Sequence, residues 1–409
     1  MRPEPSIPDS SIPRAPAIDP DAARGAHGSD TVRRRVVVTG MGALTAAGEG
    51  VLPFWRACIE GRSMLAPIEG FDAREFGPLR AGEFKGPARG RGERASGFAL
   101  LAAAEALASA GLERSALPPA SGAVLGTCLG DAIAPASPPV AGGLAAPALS
   151  LAAAYKLSGP VSTVSVACAS GTAAIASAAA CIGRGEADLM LVGGTDALSR
   201  FVVSGFWLLR ALSPTLVRPF DQRRDGLALG EGAGLLVLEE RDRALRRRAP
   251  ILAEIAGSGT AGDACHMTGP SPYGDGVLRA MTAALADARR APDDIGFISA
   301  HGTGTRFNDR METVAIKRLL GPRAPLVPID SIKPIIGHTL GAAGALEAIA
   351  CVKILQEGII PPTINLTAPD PECDLDYVPG EARRQQVRCA LSTSSAFAGH
   401  NAALVLEGS

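Results

Sequence analysis

A strand that ends at a cysteine and leads into an alanine-rich helix limits the possible folds of this chain more than any other feature. The run Val164-Ser165-Val166-Ala167-Cys168-Ala169-Ser170-Gly171-Thr172 passes from β-branched residues to small ones, and residues 173–185 are rich in alanine. This pattern predicts that Cys168 lies on a tight turn between a buried strand and a buried helix. Unpaired N–H groups and the helix dipole favour a thiolate at such a turn. A buried structural cysteine fits the same stretch equally well, so other parts of the chain must decide.

The second half of the chain repeats this order of elements. The run Ser331-Ile332-Lys333-Pro334-Ile335-Ile336-Gly337-His338 follows a strand predicted to begin at Val327 and precedes a helix predicted at 341–357. Each half thus contains a strand, a glycine-rich turn with a reactive side chain, and an alanine-rich helix. We therefore predict an α/β fold built from two similar halves, with sheets rich in parallel strands.

Two histidines stand at the ends of predicted strands, where α/β proteins place their functional sites. His301 follows a strand predicted at 295–300 and precedes Gly302-Thr303-Gly304-Thr305, and His338 ends the run described above. A single histidine is more often a core residue, but the chain has only 5 histidines and two of them occupy this kind of position. A thiol nucleophile with two imidazole groups suits acyl transfer, in which hydrogen-bond donors stabilise an oxygen that becomes negative.

Lys333 lies among apolar residues, and this context predicts that its ammonium group is buried. A buried ammonium group is costly unless a carboxylate pairs with it. We expect Glu312, which lies one helical turn after Asp309, to be that partner.

Composition excludes several classes of protein. The 409 residues are 47% hydrophobic, and 40 basic against 41 acidic residues give a net charge of -1, so no overall charge favours nucleic acid or an anionic membrane. The 8 cysteines form no CxxC pair, which argues against a disulfide scaffold or a zinc site and favours a reducing compartment. Apolar runs are interrupted before the ~18 residues of a transmembrane span, so we expect a cytoplasmic protein.

The chain divides into three segments. Residues 1–32 are rich in Pro, Ser, Asp and Ala and lack the apolar core of a secretory signal, so we predict a disordered N-terminal tail. Residues 33–250 form the predicted N-terminal half with the cysteine turn, and residues 251–409 form the predicted C-terminal half with both histidines. Two loops are also predicted, a polar one at 86–97 and a proline-rich one at 135–147.

From about Arg34 to Gly408 the chain resembles the elongating β-ketoacyl-acyl-carrier-protein synthases, which are condensing enzymes of the thiolase superfamily. The motifs that carry the resemblance are Val166-Ala167-Cys168-Ala169-Ser170-Gly171, Pro219-Phe220-Asp221, Arg224-Asp225-Gly226, Gly230-Glu231-Gly232, Ala300-His301-Gly302-Thr303-Gly304-Thr305, Lys333 to His338 with Gly341-Ala342-Ala343-Gly344, and Phe397 before Gly399 and Asn401. The resemblance implies a thiolase-like fold, in which two pseudo-symmetric halves form a layered α-β-α-β-α core.

The resemblance also implies the reaction, which is a decarboxylative Claisen condensation. An acyl group bound to Cys168 is joined to malonyl-acyl carrier protein, so that a fatty acid, polyketide or polyene chain grows by two carbons. By the same resemblance, His301 and His338 activate the malonyl thioester and stabilise its enolate. The N–H groups of Cys168 and Phe397 would form the oxyanion hole.

Supporting groups and partners follow from the resemblance in the same way. It implies that Lys333 and Glu312 hold the site and that Asp309, Gly399 and Asn401 support it. The substrates would arrive on the phosphopantetheine of acyl carrier protein, with no cofactor or metal of the enzyme's own. The chain would form a homodimer, or a heterodimer with a related subunit that resembles a chain-length factor, and would bind neither nucleic acid nor membrane.

Two departures from the family pattern concern the acyl pocket. The usual Gly-Phe-Gly-Gly-Thr-Asn is here Ala396-Phe397-Ala398-Gly399-His400-Asn401, and the two lost glycines restrict a loop that swings its phenylalanine in the family. The segment 126–160 is also shorter than in the housekeeping enzymes. We therefore expect restricted gating and a specialised polyketide or polyene pathway.

Two other functions fit parts of the pattern. A non-catalytic or chain-length-determining subunit of a heterodimeric ketosynthase resembles the same family but lacks the nucleophile, whereas Cys168 and both histidines are present here. A coenzyme A-dependent thiolase needs a second cysteine in a Cys-x-Gly turn near the C-terminus, and Cys389-Ala390-Leu391 does not supply it. Acylation of the isolated protein separates the catalytic from the non-catalytic function.

Overall fold

The computed structural model describes residues 33–86, 93–113, 117–132 and 143–408. The α-helices within these ranges are α1 Val51–Ile59, α2 Arg94–Ser109, α3 Ala146–Tyr155, α4 Ser170–Gly183, α5 Arg200–Leu208, α6 Arg241–Arg246, α7 Asp275–Ala288, α8 Arg306–Leu320, α9 Lys333–Ile336 and α10 Ala343–Glu357. The strands are β1 Val36–Thr45, β2 Gly48–Glu49, β3 Ala66–Pro67, β4 Arg80–Ala81, β5 Ser121–Gly126, β6 Val161–Val164, β7 Leu189–Asp196, β8 Gly232–Glu240, β9 Ala253–Gly262, β10 Phe297–Ser299, β11 Ile329–Asp330, β12 Ile359–Ile360, β13 Arg383–Arg384, β14 Cys389–Ser395 and β15 His400–Glu407. The tail predicted at 1–32 lies outside the described residues.

The two predicted loops lie partly outside the described residues, and their described parts contain helix instead. α2 begins at Arg94, and the carboxylate of Asp131 accepts a hydrogen bond from Ala95 N (3.0 Å) in its first turn. A side chain from a distant segment thus caps this helix, which a local sequence pattern does not reveal. α3 begins at Ala146 with Pro147 in its first turn, where a proline has no N–H bond to lose.

One large sheet connects the two halves of the chain. Its strands follow the order β11-β10-β14-β15-β9-β1-β8-β7-β5-β6, and β2 pairs with β1. At the centre β1 and β9 pair antiparallel, with Val37 opposite Glu254 and Val38 opposite Ala253. Outward from this centre the two halves place equivalent strands in the same order, β1-β8-β7-β5-β6 and β9-β15-β14-β10-β11. The two pseudo-symmetric halves expected from the sequence are therefore present.

The expectation of sheets rich in parallel strands is wrong for the middle of the sheet. β8 pairs antiparallel with β1 and β7 in one half, and β15 pairs antiparallel with β9 and β14 in the other. Parallel pairing is confined to the outer strands, where β5 pairs with β6 and β7, and β10 pairs with β11 and β14. All residues of β1, β7 and β8 are buried, so their continuous apolar runs reflect burial of both faces and do not report strand direction.

Helices α4 and α10 lie between the two halves of the sheet. They pack against each other, and each contacts strands of both halves. α2 contacts β1, β7 and β8 on the outer face of one half, and α7 contacts β9, β14 and β15 on the outer face of the other. The layers therefore follow the order α-β-α-β-α, as the resemblance to the thiolase fold implies.

Glycines let the N-terminal ends of α4 and α10 approach each other closely. A Cβ atom on Gly171 would lie 2.6 Å from Gly341 O, and one on Gly344 would lie 1.9 Å from Thr172 Oγ1. Both distances are too short for a side chain, so any larger residue would push the helices apart. The small residues after the cysteine therefore serve helix packing, and this packing brings the reactive turns of the two halves together.

Candidate functional site

Cys168 lies between β6 and α4, in the turn that the sequence predicts. β6 ends at Val164 and α4 begins at Ser170, while Ala167 has a φ of 51°, in the left-handed region. Such a φ is uncommon for a residue other than glycine and marks a constrained backbone. Ser170 Oγ accepts a hydrogen bond from Val166 N (2.9 Å), which closes the turn. Only 6% of Cys168 is exposed, and its thiol is held near the N-terminus of α4.

His338 occupies the equivalent turn of the second half, before a 3-10 helix at Leu340–Ala342 that leads into α10. Its backbone N–H donates to Ala228 O (2.7 Å). Its ring Nδ1 accepts a hydrogen bond from Leu340 N (3.2 Å). A neutral ring whose Nδ1 accepts must carry its proton on Nε2. His338 Nε2 is therefore a hydrogen-bond donor, and the backbone sets its orientation.

His301 follows β10, and its ring lies beside that of His338. The two ring centroids are 5.2 Å apart and the ring planes meet at 82°. Glu312 in α8 accepts hydrogen bonds from His301 N (2.6 Å), Gly302 N (2.9 Å) and Thr393 Oγ1 (2.8 Å), so it positions the backbone that carries His301. His301 Nδ1 is buried and has no hydrogen-bond partner among the described residues, which leaves this nitrogen available to a bound substrate.

Lys333 is buried as predicted, but its partner is Glu347 and not Glu312. Lys333 Nζ donates to Glu347 Oε1 (2.5 Å) and to the backbone oxygen of His301, and the lysine and Glu347 are each 2% exposed. The Lys333–Glu312 pairing is therefore wrong, because backbone N–H groups already engage both carboxylate oxygens of Glu312. A sequence signal for Glu347 existed, since it is the one charged residue in the otherwise apolar first ten residues of α10.

The neighbours of Cys168 favour its thiolate. Interaction with the Cys128 side chain, followed by interaction with His338 and the positive charge of Lys333, lowers the pKa of Cys168 well below that of a free thiol. Burial acts in the opposite direction but does not prevail. Sequence reasoning assigned this effect to the helix N-terminus and missed Cys128, which follows the carboxyl end of β5.

The surroundings of His301 favour the neutral form of its imidazole ring. Burial, and then the positive charge of Lys333, lower the pKa of His301 well below its usual range. A neutral imidazole donates one hydrogen bond and accepts another, whereas an imidazolium only donates. The ring of His301 can therefore donate one hydrogen bond and accept another without carrying a full charge.

Asp196, at the end of β7, connects the segment after β5 with the segment before α10. It was not identified from the sequence. Its carboxylate accepts hydrogen bonds from Cys128 N (2.7 Å), Leu129 N (3.0 Å), Thr127 Oγ1 (2.8 Å) and Gly341 N (2.7 Å). The first three groups follow β5, and the fourth precedes α10. Burial raises the pKa of Asp196, although these hydrogen bonds favour its ionised form. Its position directly after an apolar run was the available signal.

Phe397 lies beside α5. It begins a 3-10 turn at Phe397–Gly399, and its ring stacks on Phe206 with centroids 5.6 Å apart. Of the two alanines that replace glycines, Ala398 has a φ of 63°, whereas Ala396 is extended with a φ of -131°. The replaced glycines therefore matter at one flank of Phe397 in this conformation, because only Ala398 adopts an angle that favours glycine.

Asp309, Gly399 and Asn401, which were predicted to support the site, form hydrogen bonds with loop backbone and not with the reactive side chains. Asp309 accepts hydrogen bonds from Phe220 N (2.9 Å) and Gly304 N (3.3 Å). Asn401 Nδ2 donates to Gly399 O (3.1 Å). These contacts stabilise the loops around the site. The reactive groups that the structure brings together are Cys168, His301, His338 and Lys333, with Glu347 and Cys128 added.

No group of three or more His, Cys, Asp and Glu side chains within the described ranges is arranged to hold a metal ion. None of the helices in the same ranges has the length and apolar character needed to cross a membrane.

Two family models match the chain. The model described as "Beta-ketoacyl synthase, N-terminal domain" matches residues 33–244, and "Beta-ketoacyl synthase, C-terminal domain" matches residues 252–367. The first match contains the cysteine turn, and the second contains both histidines and Lys333. The matched models therefore cover more than half of the chain and all of the reactive side chains.

Individual proteins match over nearly the whole chain. The tetracenomycin polyketide synthase ketoacyl synthase alpha subunit of Streptomyces glaucescens is 40% identical over 412 residues, which are 91% of this chain and 97% of that protein. The structure titled "The ishigamide ketosynthase/chain length factor" matches with a TM-score of 0.86 and 37% identity over 92% of this chain and 100% of the other. A type II polyketide synthase acyl-carrier protein in complex with its ketosynthase bound to the hexaketide matches with a TM-score of 0.84 and 32% identity over the same shares, 92% and 100%.

Proposed function

This chain belongs to the β-ketoacyl synthase family, and from that membership we propose that it extends a polyketide chain by decarboxylative Claisen condensation. One observation carries the proposal. Cys168 lies beside the N-terminus of α4 and its pKa is lowered by neighbours that include His338, whose ring lies 5.2 Å from that of His301. A nucleophile alone would suit acyl transfer, and two imidazole donors alone would suit decarboxylation. Their presence in one buried site suits a reaction that needs both steps.

The first step is transfer of the acyl group to Cys168. The thiolate attacks the carbonyl carbon of an acyl thioester, a carbon–sulfur bond forms to Cys168 Sγ, and the carrier thiol leaves with a proton from solvent. The N–H groups of Cys168 and Phe397 stabilise the negative oxygen of the tetrahedral intermediate. The lowered pKa of Cys168 supports this step, because it increases the fraction of the thiolate, which is the nucleophilic form.

The second step is decarboxylation and carbon–carbon bond formation. His338 Nε2 and the neutral ring of His301 donate hydrogen bonds to the thioester oxygen of the malonyl unit, so loss of carbon dioxide leaves an enolate. The enolate carbon attacks the Cys168 thioester, the bond to Cys168 Sγ breaks, and the thiolate is regenerated. The product is a β-ketoacyl thioester two carbons longer. Tight backbone control of both histidines supports this role, since the donors are oriented before the substrate binds.

Lys333 acts through His301 and not on the substrate. Its ammonium group joins the carboxylate of Glu347 to the backbone oxygen of His301. The same positive charge favours the thiolate of Cys168 and the neutral form of His301. We therefore assign Lys333 and Glu347 as positioning residues.

Both substrates would arrive as thioesters on the phosphopantetheine of acyl carrier protein, so the enzyme needs no cofactor of its own. The complex of an acyl-carrier protein with a ketosynthase of 32% identity supports this carrier. The same fold similarity supports a related subunit as partner, because one similar structure is titled as a ketosynthase and chain length factor.

Two surface features support a subunit interface. β6 is the last strand of the sheet, and none of its four residues is fully buried, so its outer edge is open for pairing. α5 exposes large apolar side chains, with Phe201 60% and Leu208 72% exposed. Exposed apolar residues in one helix are typical of surfaces that a partner covers. We propose an obligate dimer, with a related partner subunit more probable than in a housekeeping synthase.

Reconstitution tests the reaction. The purified chain is mixed with an acyl-acyl carrier protein and malonyl-acyl carrier protein, and intact-protein mass spectrometry follows the carrier. We expect a β-ketoacyl carrier two carbons longer from the wild-type chain and none from Cys168→Ala. Cys181→Ala, in the same helix, is the matched control and should retain activity. Equal elongation by Cys168→Ala and wild type would refute the mechanism.

A second experiment tests the partner. The chain is purified alone, its mass in solution is measured, and elongation is assayed with and without related subunits encoded beside it. We expect a dimer, and higher elongation with a related subunit. A monomer that elongates at full rate would refute the obligate dimer, and a fully active homodimer would refute only the need for a related partner.

A further inference from the structure

Cys128 lies beside Cys168, although the proposed condensation needs only one thiol. The backbone next to Cys128 bonds to the strand that leads to Cys168, each thiol shifts the pKa of the other, and both thiols are free. We propose that Cys128 is a resolving thiol that converts an oxidised Cys168 into a reversible intramolecular disulfide. Formation of the disulfide does not depend on the proposed condensation, whereas its effect on activity rests on that function.

The two cysteines follow neighbouring strands of the sheet. β5 and β6 are parallel, with Gly126 opposite Val164. Cys128 and Cys168 follow the carboxyl ends of these strands, and the left-handed Ala167 turns the second segment. Paired strands are about 4.8 Å apart, and a disulfide spans about 4.4–6.8 Å between Cα atoms. The two segments therefore start from strand ends whose separation a disulfide can bridge.

Hydrogen bonds tie the two cysteine turns directly to each other. Thr127 N donates to Val164 O (3.0 Å), and Ser170 Oγ lies 3.4 Å from Thr127 O. Cys128 N donates to Asp196 Oδ2 (2.7 Å), which fixes the backbone on the other side. The segments that carry the two cysteines are therefore in direct contact, which is the arrangement that a disulfide between them requires.

The cysteines of the chain differ in reactivity in the way that this pair requires. Cys168 has a lowered pKa, and a thiolate is the form that reacts with peroxides. Burial raises the pKa of the other buried cysteines, which are Cys58, Cys351, Cys373 and Cys389. A redox-sensitive cysteine is typically one of low pKa with a resolving cysteine beside it. Cys168 with Cys128 fits that description, and the buried cysteines do not.

The chemistry is a two-electron oxidation by a hydroperoxide. The Cys168 thiolate attacks the peroxide oxygen and the O–O bond breaks, which forms a sulfenic acid, and the hydroxide or alkoxide that leaves takes a proton from solvent to become water or alcohol. Cys128 then gives up its proton and attacks the Cys168 sulfur, so that the S–O bond breaks and a water leaves. The Cys168 thiolate is one cause of the raised pKa of Cys128, so this second step becomes easier once Cys168 is uncharged. An external thiol reverses the reaction by exchange.

The test uses the reduced full-length chain and hydrogen peroxide, with intact mass and peptide mapping under non-reducing conditions as readouts. We expect the protein to lose two hydrogen atoms, a peptide with Cys128 to be linked to the peptide with Cys168, and dithiothreitol to reverse both changes. Cys265→Ser, which removes an exposed cysteine, should form the same disulfide. In Cys128→Ser, Cys168 should instead gain oxygen atoms that dithiothreitol does not remove.

Three outcomes would overturn the inference. They are irreversible oxygen addition to Cys168 in the wild type at the rate seen in Cys128→Ser, a disulfide between other cysteines, and no reaction of Cys168 at all. Cys128→Ala is the second variant if the serine variant does not fold. Elongation activity, measured in parallel, should fall in proportion to the disulfide formed. If a chain without elongation activity still forms the disulfide, the proposed function fails and this inference stands.

Discussion

The two halves of the molecule build the same turn and place different chemistry in it. In the first half β6 leads through Cys168 into α4, and in the second half β11 leads through His338 into α10. The buried groups Lys333, Glu347 and Glu312 all belong to the second half. The first half thus supplies the nucleophile, and the second supplies hydrogen-bond donors and the charges that hold them. This difference indicates that each half serves one step of the reaction.

The largest effects are expected when each half loses its reactive side chain. Cys168→Ala should lose all acyl transfer but still decarboxylate malonyl-acyl carrier protein, because the donors of the second half remain. His338→Ala should lose ~10²-fold or more of condensation, on the scale of one oxyanion donor. Acylation of Cys168 in this variant should fall less than condensation does, because interaction with Cys128 also favours the thiolate.

Separate assays of acylation and of carbon dioxide release check this division. An equal loss of both steps in His338→Ala would break the comparison between the halves. Folding of each variant is checked by thermal unfolding, so that a lost step is not confused with a lost structure.

The next effect concerns two of the buried carboxylates of the second half, those of Glu347 and Glu312. Glu347→Gln should reduce the free energy of unfolding by about 3–5 kcal/mol, because it leaves the buried ammonium group of Lys333 without its charged partner. Glu312→Gln should cost about 1–3 kcal/mol, since it weakens hydrogen bonds to backbone N–H groups but strands no charge. Urea unfolding compares the two variants. A larger loss for Glu312→Gln would restore the pairing that the sequence suggested.

A pH-dependent effect on stability is expected from Asp330, which lies near the charged pair Lys333 and Glu347. Burial, and then the negative charge of Glu347, raise the pKa of Asp330 to about 8. Between the ordinary carboxyl pKa of 3.8 and this value, the folded chain holds a proton that the unfolded chain has lost. Stability therefore decreases as pH rises through this window and levels off above it. Urea unfolding across the window should show this slope in the wild type and a flatter one in Asp330→Asn, and identical slopes would refute it.

The smallest effect is expected at the flanks of Phe397. Ala398 has a φ of 63°, which costs an L-residue about 1–2 kcal/mol, so Ala398→Gly should be stabilising by about 0.5–1 kcal/mol after its entropic cost. Ala396, with a φ of -131°, is the matched control, and Ala396→Gly should be destabilising by about 0.5–1 kcal/mol. Thermal unfolding measures both. Shifts of the same sign would show that the backbone angle does not decide the effect.

Local patterns were sufficient to predict the reactive turns. The change from β-branched residues to small ones located the turn at Cys168, and the glycines after His338 located its counterpart. Both depend on residues that are adjacent in the chain, and the resemblance to a known family supplied their roles. Burial of Lys333 followed from its apolar neighbours in the same way.

Contacts between distant segments were beyond the sequence. Glu347 and Glu312 are both buried acidic residues on helices. Only the position of α10 relative to α9 in the folded chain determines that Glu347 pairs with Lys333. Cys128 follows β5, and Asp196 is the last residue of β7. Both lie at the site because β5 is beside both β6 and β7. Strand direction also escaped prediction, since a strand buried on both faces has the same apolar run whether it is parallel or antiparallel.

The most direct test of this account is to locate the acyl group. The purified chain is incubated with an acyl-acyl carrier protein alone, digested, and mapped by mass spectrometry. We expect one acyl group per chain, on the peptide that contains Cys168, and its transfer to malonyl-acyl carrier protein when that substrate is added. An acyl group on Cys128 or elsewhere, or a chain that condenses its substrates without ever becoming acylated, would contradict it.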